Sequence, residues 1–213
     1  MHQKDKQRII ERYNKRLEKF GTSINALAAG TEERRNLRFK ILTEIGMQNG
    51  DTILDLGCGF GDYARYIDSC ELSVDYTGYD INPRLIEKAQ SLYPGKKFET
   101  KDILNESFGS FDYIVSSSCF NLILEQEDNY NFVERLLRTC YEHARIGVAI
   151  DFNSSYVDFL SKEGFHYEPE KIFGIAKRIT KRVTLRHDYP LFEFNIYLYK
   201  DFEGWGKQSH NIK

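Results

Sequence analysis

Three glycines, each one residue from the next, stand between an apolar run and a helical pattern in "ILDLGCGFGDYARYI", residues 53–67. Glycine weakens both helices and strands, so Gly57, Gly59 and Gly61 need a local reason to be there. The surroundings narrow that reason. "TILDL" reads as a strand and "DYARYIDSC" as a helix, and the alternation then continues. "VDYTGYD" is a second strand; Asn82 caps a helix that opens on Pro83, "PRLIEKAQSLY". "KKFETKD" is a third strand and "FDYIVSSS" a fourth, followed by the helix "DNYNFVERLLRTCYEHA". "RIGVAID" is a fifth strand, and "SYVDFLSKEG" reads as a short helix ending at Gly164. Strand–helix alternation of this kind predicts a parallel sheet covered by helices on both faces.

The two ends depart from the alternation. Pro169 opens an additional helix, "PEKIFGIAKRIT", before two β-rich runs, "RVTLRHD" and "LFEFNIYLYK". In the second run Phe192, Phe194, Ile196 and Leu198 alternate with Glu193, Asn195, Tyr197 and Tyr199, the period of a strand. Two strands with a short connection pair antiparallel. At the other end Ile9, Ile10, Tyr13, Leu17 and Phe20 recur at helical spacing, and Gly21 ends that helix. Thr31 is a good N-cap for a second helix, with Glu32 and Glu33 in its first turn and Leu37, Ile41, Leu42 and Ile45 along its apolar stripe. The expected fold class is therefore α/β: a doubly wound, seven-stranded, mostly parallel sheet with an antiparallel C-terminal hairpin and an N-terminal helical segment. The expected boundaries are 1–46 for that segment, 47–201 for the sheet domain and 202–213 for a tail. A chain of 213 residues with 41% hydrophobic side chains can build such a core.

Charge and cysteine content remove several functions. The formal net charge is -2, so there is no global positive field for nucleic acid. Residues 1–40 and 171–186 are locally basic, which fits solvated helix faces first and phosphate contacts second. Cys58, Cys70, Cys119 and Cys140 form no CxxC pair, so neither a zinc site nor a disulfide framework is expected. Reduced thiols point to a cytoplasmic protein. The charged N-terminus does not read as a signal peptide, and no run approaches the roughly 18 apolar residues of a membrane span.

Ligands of an open parallel sheet bind at the carboxyl ends of its strands, where the loop after the first strand lies. The dinucleotide fingerprint G-x-G-x-x-G fails here because its sixth position is Asp62, and no Lys follows to make a phosphate-binding P-loop. The loop instead offers backbone groups beside Asp55 and Asp62, which suits a ligand carrying some positive charge. Asp80 ends the second strand, where a carboxylate can accept both hydroxyls of a ribose. Asp102 ends the third, suited to the exocyclic amine of a purine.

With these features the chain resembles the class I S-adenosylmethionine-dependent methyltransferases. "ILDLGCGFG" is similar to the family's glycine-rich motif, "YTGYDINPRLIEKAQ" to its acidic motif, "KDIL" to its adenine-contacting segment and "FDYIVSSSCFNLIL" to the segment after its fourth strand. The resemblance implies S-adenosyl-L-methionine as cofactor. It implies that Gly57, Cys58 and Gly59 pass along the methionine part, beside Asp55. Asp80 would hold the ribose, with Ile81 against the adenine; Asp102 and Ile103 would bracket the adenine amine and ring; Ser116 to Ser118 would lie near the sulfonium. Arg38 or Tyr13 would reach the methionine carboxylate. The chain has "SSSCFN" where amino-methylating nucleic-acid enzymes carry Asn/Asp-Pro-Pro-Tyr/Phe, which speaks against base N-methylation.

Methyl transfer needs an oriented acceptor and, for some acceptors, a base. Asp151 after the fifth strand and His187 and Asp188 in the hairpin are the candidate bases; Cys119, Asn121 and Tyr189 are the candidate acceptor-pocket residues. The leading expectation is O- or N-methylation of a small molecule by a monomer or homodimer, with residues 1–46 as a lid. RNA methylation through the basic stretches, and a non-catalytic cofactor-binding module, are the alternatives.

Overall fold

The computed structural model describes residues 1–200; the expected tail at 202–213 lies outside them. Two helices, α1 (Gln3–Phe20) and α2 (Glu32–Thr43), precede the sheet. Then follow β1 (Thr52–Leu56), α3 (Asp62–Ser69), β2 (Asp75–Asp80), α4 (Pro83–Leu92), β3 (Lys97–Thr100), β4 (Phe111–Ser116), α5 (Asn129–His143) and β5 (Ala144–Asn153). The chain closes with α6 (Pro169–Lys177), β6 (Arg182–Arg186) and β7 (Glu193–Tyr199).

All seven strands form one sheet in the order β3-β2-β1-β4-β5-β7-β6. The first five are mutually parallel, and β7 runs antiparallel to both β5 and β6. The order reverses between β1 and β4. Crossovers from β1 and β4 leave in opposite directions there, opening a crevice at their carboxyl ends.

Helices cover both faces, and the strands show why. Ile53 to Leu56 are all buried, as a strand sandwiched on both sides requires. Leu54, Leu56 and Ile114 face Phe132, Leu136 and Leu137 of α5 and Ile172 of α6. Ile53 and Val115 face the other way, toward Phe39, Ile41 and Leu42 of α2, with Ala64 of α3 and Ile86 of α4. The expected caps hold: the Thr31 hydroxyl accepts from Arg34 N, and the Asn82 side chain accepts from Arg84 N.

Helix α1 touches this core only at its edge, through Ile9. Its Leu17 packs with Ala26, Phe60 of the glycine loop and Leu85 of α4, a small cluster above the strand ends. Polar anchors fix both flanks. Buried Asp5 accepts from the backbone of Glu125 and Gln126, and Arg12 pairs with Glu163. Asn14 and the Ile10 carbonyl accept from Asn82, and Glu18 pairs with Arg84.

One expected element is absent. Residues 155–164 are bends and isolated bridges rather than a short helix. An amphipathic helix needs a surface for its apolar side, and here Phe159 and Leu160 are 72% and 70% exposed. The segment is held instead by bridges Leu122–Gly164 and Ser154–Tyr167, and by His166 Nε2 accepting from Ser161 N.

Candidate active site

A cavity of about 140 Å³ opens at the carboxyl ends of β1, β2 and β4 and runs beneath α1. Its floor is the glycine loop. Gly57 N and Cys58 N both donate to Tyr79 O, at 2.7 and 3.0 Å, which ties the loop to the end of β2. Gly57 and Gly59 have φ of +74° and +54°, where a side chain is strained. Close packing adds a second reason for glycine. A Cβ on Gly57 would lie 2.2 Å from Cys119 Sγ, and one on Gly59 3.0 Å from Leu27. The bare backbone therefore admits the loop after β4 on one side and the residue 21–30 loop on the other.

Two strand-end carboxylates look into this space. Asp80 Oδ2 accepts from Gly59 N at 3.1 Å and its Oδ1 from Asn82 N at 2.8 Å. Burial pushes its carboxyl up to about 6, against the pull of those amides. Asp55 accepts from Tyr76 Oη at 2.6 Å; burial, with the charges of Asp80 and Asp62 adding to it, pushes it up to about 7. Ile81, Asp102 and Ile103 continue the wall. Asp102 Oδ2 is already engaged, 3.0 Å from Lys6 Nζ of α1. Burial raises its carboxyl, but Lys6 and Asn105 outweigh that and hold it below the ordinary value.

Helices α1 and α2 supply the rest. Ile9, Ile10 and Tyr13 line the roof. Burial, together with the nearby Cys119 and Asp80, pushes the Tyr13 hydroxyl up to about 12, so it stays protonated at neutral pH. Arg38 reaches the cavity, but its Nε donates to Glu193 at 2.9 Å and its other nitrogens to Ala29 O. Arg35, one turn earlier, escaped the sequence reading. It lines the cavity, pairs with Asp62 at 2.9 Å, and keeps a buried Nε with no partner. Its signal was present in "EERRNLRFK", where Arg35 and Arg38 share a helix face, but nothing in the sequence told which face turns inward. Lys6 and Leu27 were likewise missed, because they arrive from segments with no motif of their own; Phe120 lies within "FDYIVSSSCFNLIL", but nothing in that run distinguishes it as a wall residue.

The segment after β4 divides the remaining candidates. Ser117, Ser118 and Cys119 are on the cavity wall. Ser118 holds φ +54°, and its N–H donates to Asp151 Oδ1 while Ser117 Oγ donates to Oδ2. Asp151 itself is fully buried behind this loop, off the wall. Burial and neighbouring Glu193 push its carboxyl upward. Asn121 is off the wall too, its Oδ1 accepting from Asn153 N at 2.9 Å. Tyr189 is buried with its hydroxyl accepting from Asn195 Nδ2. His187 and Asp188 are exposed beyond β6, and Asp188 pairs with Arg186 at 2.7 Å. Of the residues proposed for acid–base work, none touches the cavity; of those proposed for the acceptor, only Cys119 does. Among the described residues no group of His, Cys, Asp and Glu could hold a metal ion, and no helix is long and apolar enough to cross a membrane.

Comparison with known proteins places this geometry in a class. A family model described as "Methyltransferase domain" matches residues 53–147, from β1 into β5. A putative methyltransferase of Mycobacterium tuberculosis is 30% identical over 154 residues, which cover 70% of this chain and 93% of that protein. Among solved structures, Haemonchus contortus phosphoethanolamine N-methyltransferase 2, in complex with phosphomonomethylethanolamine and S-adenosylhomocysteine, superposes with a TM-score of 0.63. It is 20% identical over 84% of this chain and 47% of its own. An S-adenosylmethionine-dependent methyltransferase of Clostridium acetobutylicum has a TM-score of 0.61 at 14% identity, covering 88% of this chain and 98% of its own. The chain belongs to the class I S-adenosylmethionine-dependent methyltransferases.

The residues present fit that cofactor. Asp80, a cavity-lining carboxylate preorganised by two backbone amides, can accept from hydroxyl groups such as those of a ribose. Arg35 offers a carboxylate an unpartnered, buried N–H. Apolar Ile81, Ile103 and Phe120 line the same cavity, offering surfaces on which a purine can pack.

Proposed function

We propose that this protein transfers the methyl group of S-adenosylmethionine to an oxygen or nitrogen of a small-molecule acceptor, with α1 as the lid of the site. The observation that carries the reading is the roof: Lys6, Ile9, Ile10 and Tyr13 of α1 line the strand-end cavity opposite the glycine loop and leave it a partly enclosed chamber. A folded RNA needs a groove or a cationic face, and at least half of the cations in the basic stretch 171–186 are ion-paired. Lys171 pairs with Glu168, Arg178 with Glu134, and Arg186 with Glu44 and Asp188.

In this reading Asp80 accepts the ribose hydroxyls, Asp102 receives the adenine amine, and Arg35 rather than Arg38 receives the methionine carboxylate. The bound cofactor supplies an activated methyl group on a sulfonium, so the chain's task is orientation and exclusion of water. Tyr13, neutral and aimed into the chamber near Cys119 and Asp80, donates a hydrogen bond rather than removing a proton. Asp151 positions the Ser117–Ser118 turn from behind instead of acting as the base.

The test has two stages. S-adenosylmethionine and S-adenosylhomocysteine raise the melting temperature; at about 100 times the dissociation constant the gain is ~2.7 kcal/mol. Small hydroxyl and amine compounds are then screened against short RNAs for release of S-adenosylhomocysteine. Stabilisation by NAD but not by S-adenosylhomocysteine defeats the cofactor reading. Turnover on RNA alone, lost on charge reversal at Lys177, Arg178 and Lys181, reverses the choice of acceptor.

A further inference from the structure

The cations of the chamber are all taken. Lys6, Arg35, Arg38 and Lys101 line it, along with Met1. Lys6 lies 3.0 Å from Asp102, Arg35 2.9 Å from Asp62, Arg38 2.9 Å from Glu193 and Lys101 3.4 Å from Glu99. The ammonium of Met1 is 3.9 Å from Glu127. The anions are not all taken: among the described residues Asp55 and Asp80 have no basic side chain within ion-pair distance. Much of the remaining wall is apolar or neutral: Ile10, Leu27, Phe120, Tyr13, Ser118 and Cys119.

A carboxylate or phosphate on an acceptor would enter a space with no free counter-charge and two buried carboxylates. It could gain a cation only by breaking a pair, which leaves the displaced carboxylate buried and alone. An uncharged or cationic acceptor meets no such obstacle. Arg35, 5% exposed and with its unpartnered Nε, has capacity for one anion, and the cofactor's own carboxylate takes it. We infer that the acceptor is neutral or cationic with an apolar body, and that molecules bearing a carboxylate or phosphate near the methylated atom are rejected by the pairing of every cation in the chamber. The inference rests on the small-molecule methyltransferase reading.

Matched acceptors test it on the full chain. 2-Naphthol is compared with 6-hydroxy-2-naphthoate and its methyl ester, and benzylamine with 4-carboxybenzylamine and its methyl ester. Release of S-adenosylhomocysteine gives kcat/KM, and melting of the S-adenosylhomocysteine complex gives acceptor binding. The expected result is that neutral and cationic members exceed their carboxylate counterparts at least tenfold. Glu193→Gln, which frees Arg38, narrows that ratio by severalfold. Equal or better use of the carboxylates overturns the inference, as does a series in which no neutral or cationic member binds or turns over. A Glu193→Gln variant that folds yet leaves the ratio unchanged also counts against it. Stabilisation by S-adenosylhomocysteine is measured alongside: if it persists, only the acceptor class fails, and if it is missing, the methyltransferase reading fails first.

Discussion

The two halves of the sheet carry similar buried carboxylates at their strand ends and use them differently. On the β1–β2 side, Asp55 and Asp80 face a chamber; on the β5–β7 side, Asp151 and Glu193 face other side chains. Asp80 collects two amides from its own and the neighbouring loop, which leaves the rest of its oxygen surface toward the cavity. Asp151 collects Ser117, Ser118 and the electrostatic influence of Arg38, and is fully enclosed. A carboxylate at a strand tip is thus a ligand site only where no loop folds over it. At β1 the glycines let neighbouring loops pack against the loop's backbone at its sides, while Asp80 still lines the cavity. At β5 the chain continues into the irregular 155–164 segment and the antiparallel β7, which seal the edge.

The contrast breaks most violently at Gly57. An alanine there incurs the left-handed backbone penalty, ~1–2 kcal/mol, and the overpacking of a Cβ against Cys119, ~1–3 kcal/mol. Gly57→Ala is expected to lose several kcal/mol in urea unfolding and most cofactor binding. Adding Cys119→Gly restores the packing part and not the backbone part. A single Gly57→Ala variant of ordinary stability would mean that the loop is not held as described.

The next effect separates the two carboxylates directly. Hydrogen bonds to a charged acceptor are worth ~1.5–3 kcal/mol, so Asp80→Asn is expected to weaken S-adenosylhomocysteine binding by roughly tenfold to a hundredfold in calorimetry. The milder asparagine is the better probe than alanine, because removing the carboxylate would orphan Gly59 N and Asn82 N. Asp151→Asn should lower stability and leave that affinity within a few fold. If Asp151→Asn costs as much affinity as Asp80→Asn, the two sides of the sheet are not functionally distinct.

These outcomes bear on what could be read from the sequence. The seven strands, their parallel run and the closing hairpin were legible because period-two and helical patterns alternate cleanly from Thr52 to Tyr199. Asp55, Asp80 and Asp102 were legible as strand-end acids beside a glycine loop. Residues 155–164 were misread because apolar spacing alone cannot tell whether a surface exists to cover it. Chain order alone does not show how the hairpin sits: β7 inserts between β5 and β6, and its Asn195 donates to Tyr189 of the connecting loop in a buried hydrogen bond. Arg35 and Lys6 went unassigned for another reason: which face of α1 and of α2 turns toward the cavity is set by how the helices dock, a long-range outcome that the local pattern does not decide.

Proton linkage gives a smaller, global signal. Asp55 and Asp80 hold protons up to about 7 and about 6, above the ordinary carboxylate value near ~4, chiefly because burial disfavours the charge. Asp151 is shifted the same way. Between about pH 4 and 7 the folded protein therefore binds more protons than the unfolded chain, so stability falls as pH rises through that window. The melting temperature of the free protein is expected to drop from pH 5 to pH 8, less so in Asp55→Asn. Cofactor affinity should run oppositely, rising through pH 6 as Asp80 ionises. Parallel pH profiles for stability and affinity would show that Asp80 does not face the ligand.

The smallest effect probes the lid against the floor it covers. Lys6 and Asp102 form a part-buried pair, the lysine 21% and the carboxylate 7% exposed, and when the lysine is removed Leu104 N and Asn105 Nδ2 still bond the carboxylate. Lys6→Met should therefore change stability little, since Asp5, Arg12 and Glu18 still tie α1 down on both flanks. Its influence on binding has a definite sign. The Lys6 ammonium occupies the Asp102 oxygen that an adenine amine would use, so removing it relieves a competition. S-adenosylhomocysteine is expected to bind Lys6→Met a few fold more tightly, and its affinity to vary less with salt, because screening no longer weakens the competing pair. Weaker binding by Lys6→Met, measured by calorimetry at two salt concentrations, would instead make Lys6 part of the ligand's own contacts and α1 a wall of the site rather than its lid.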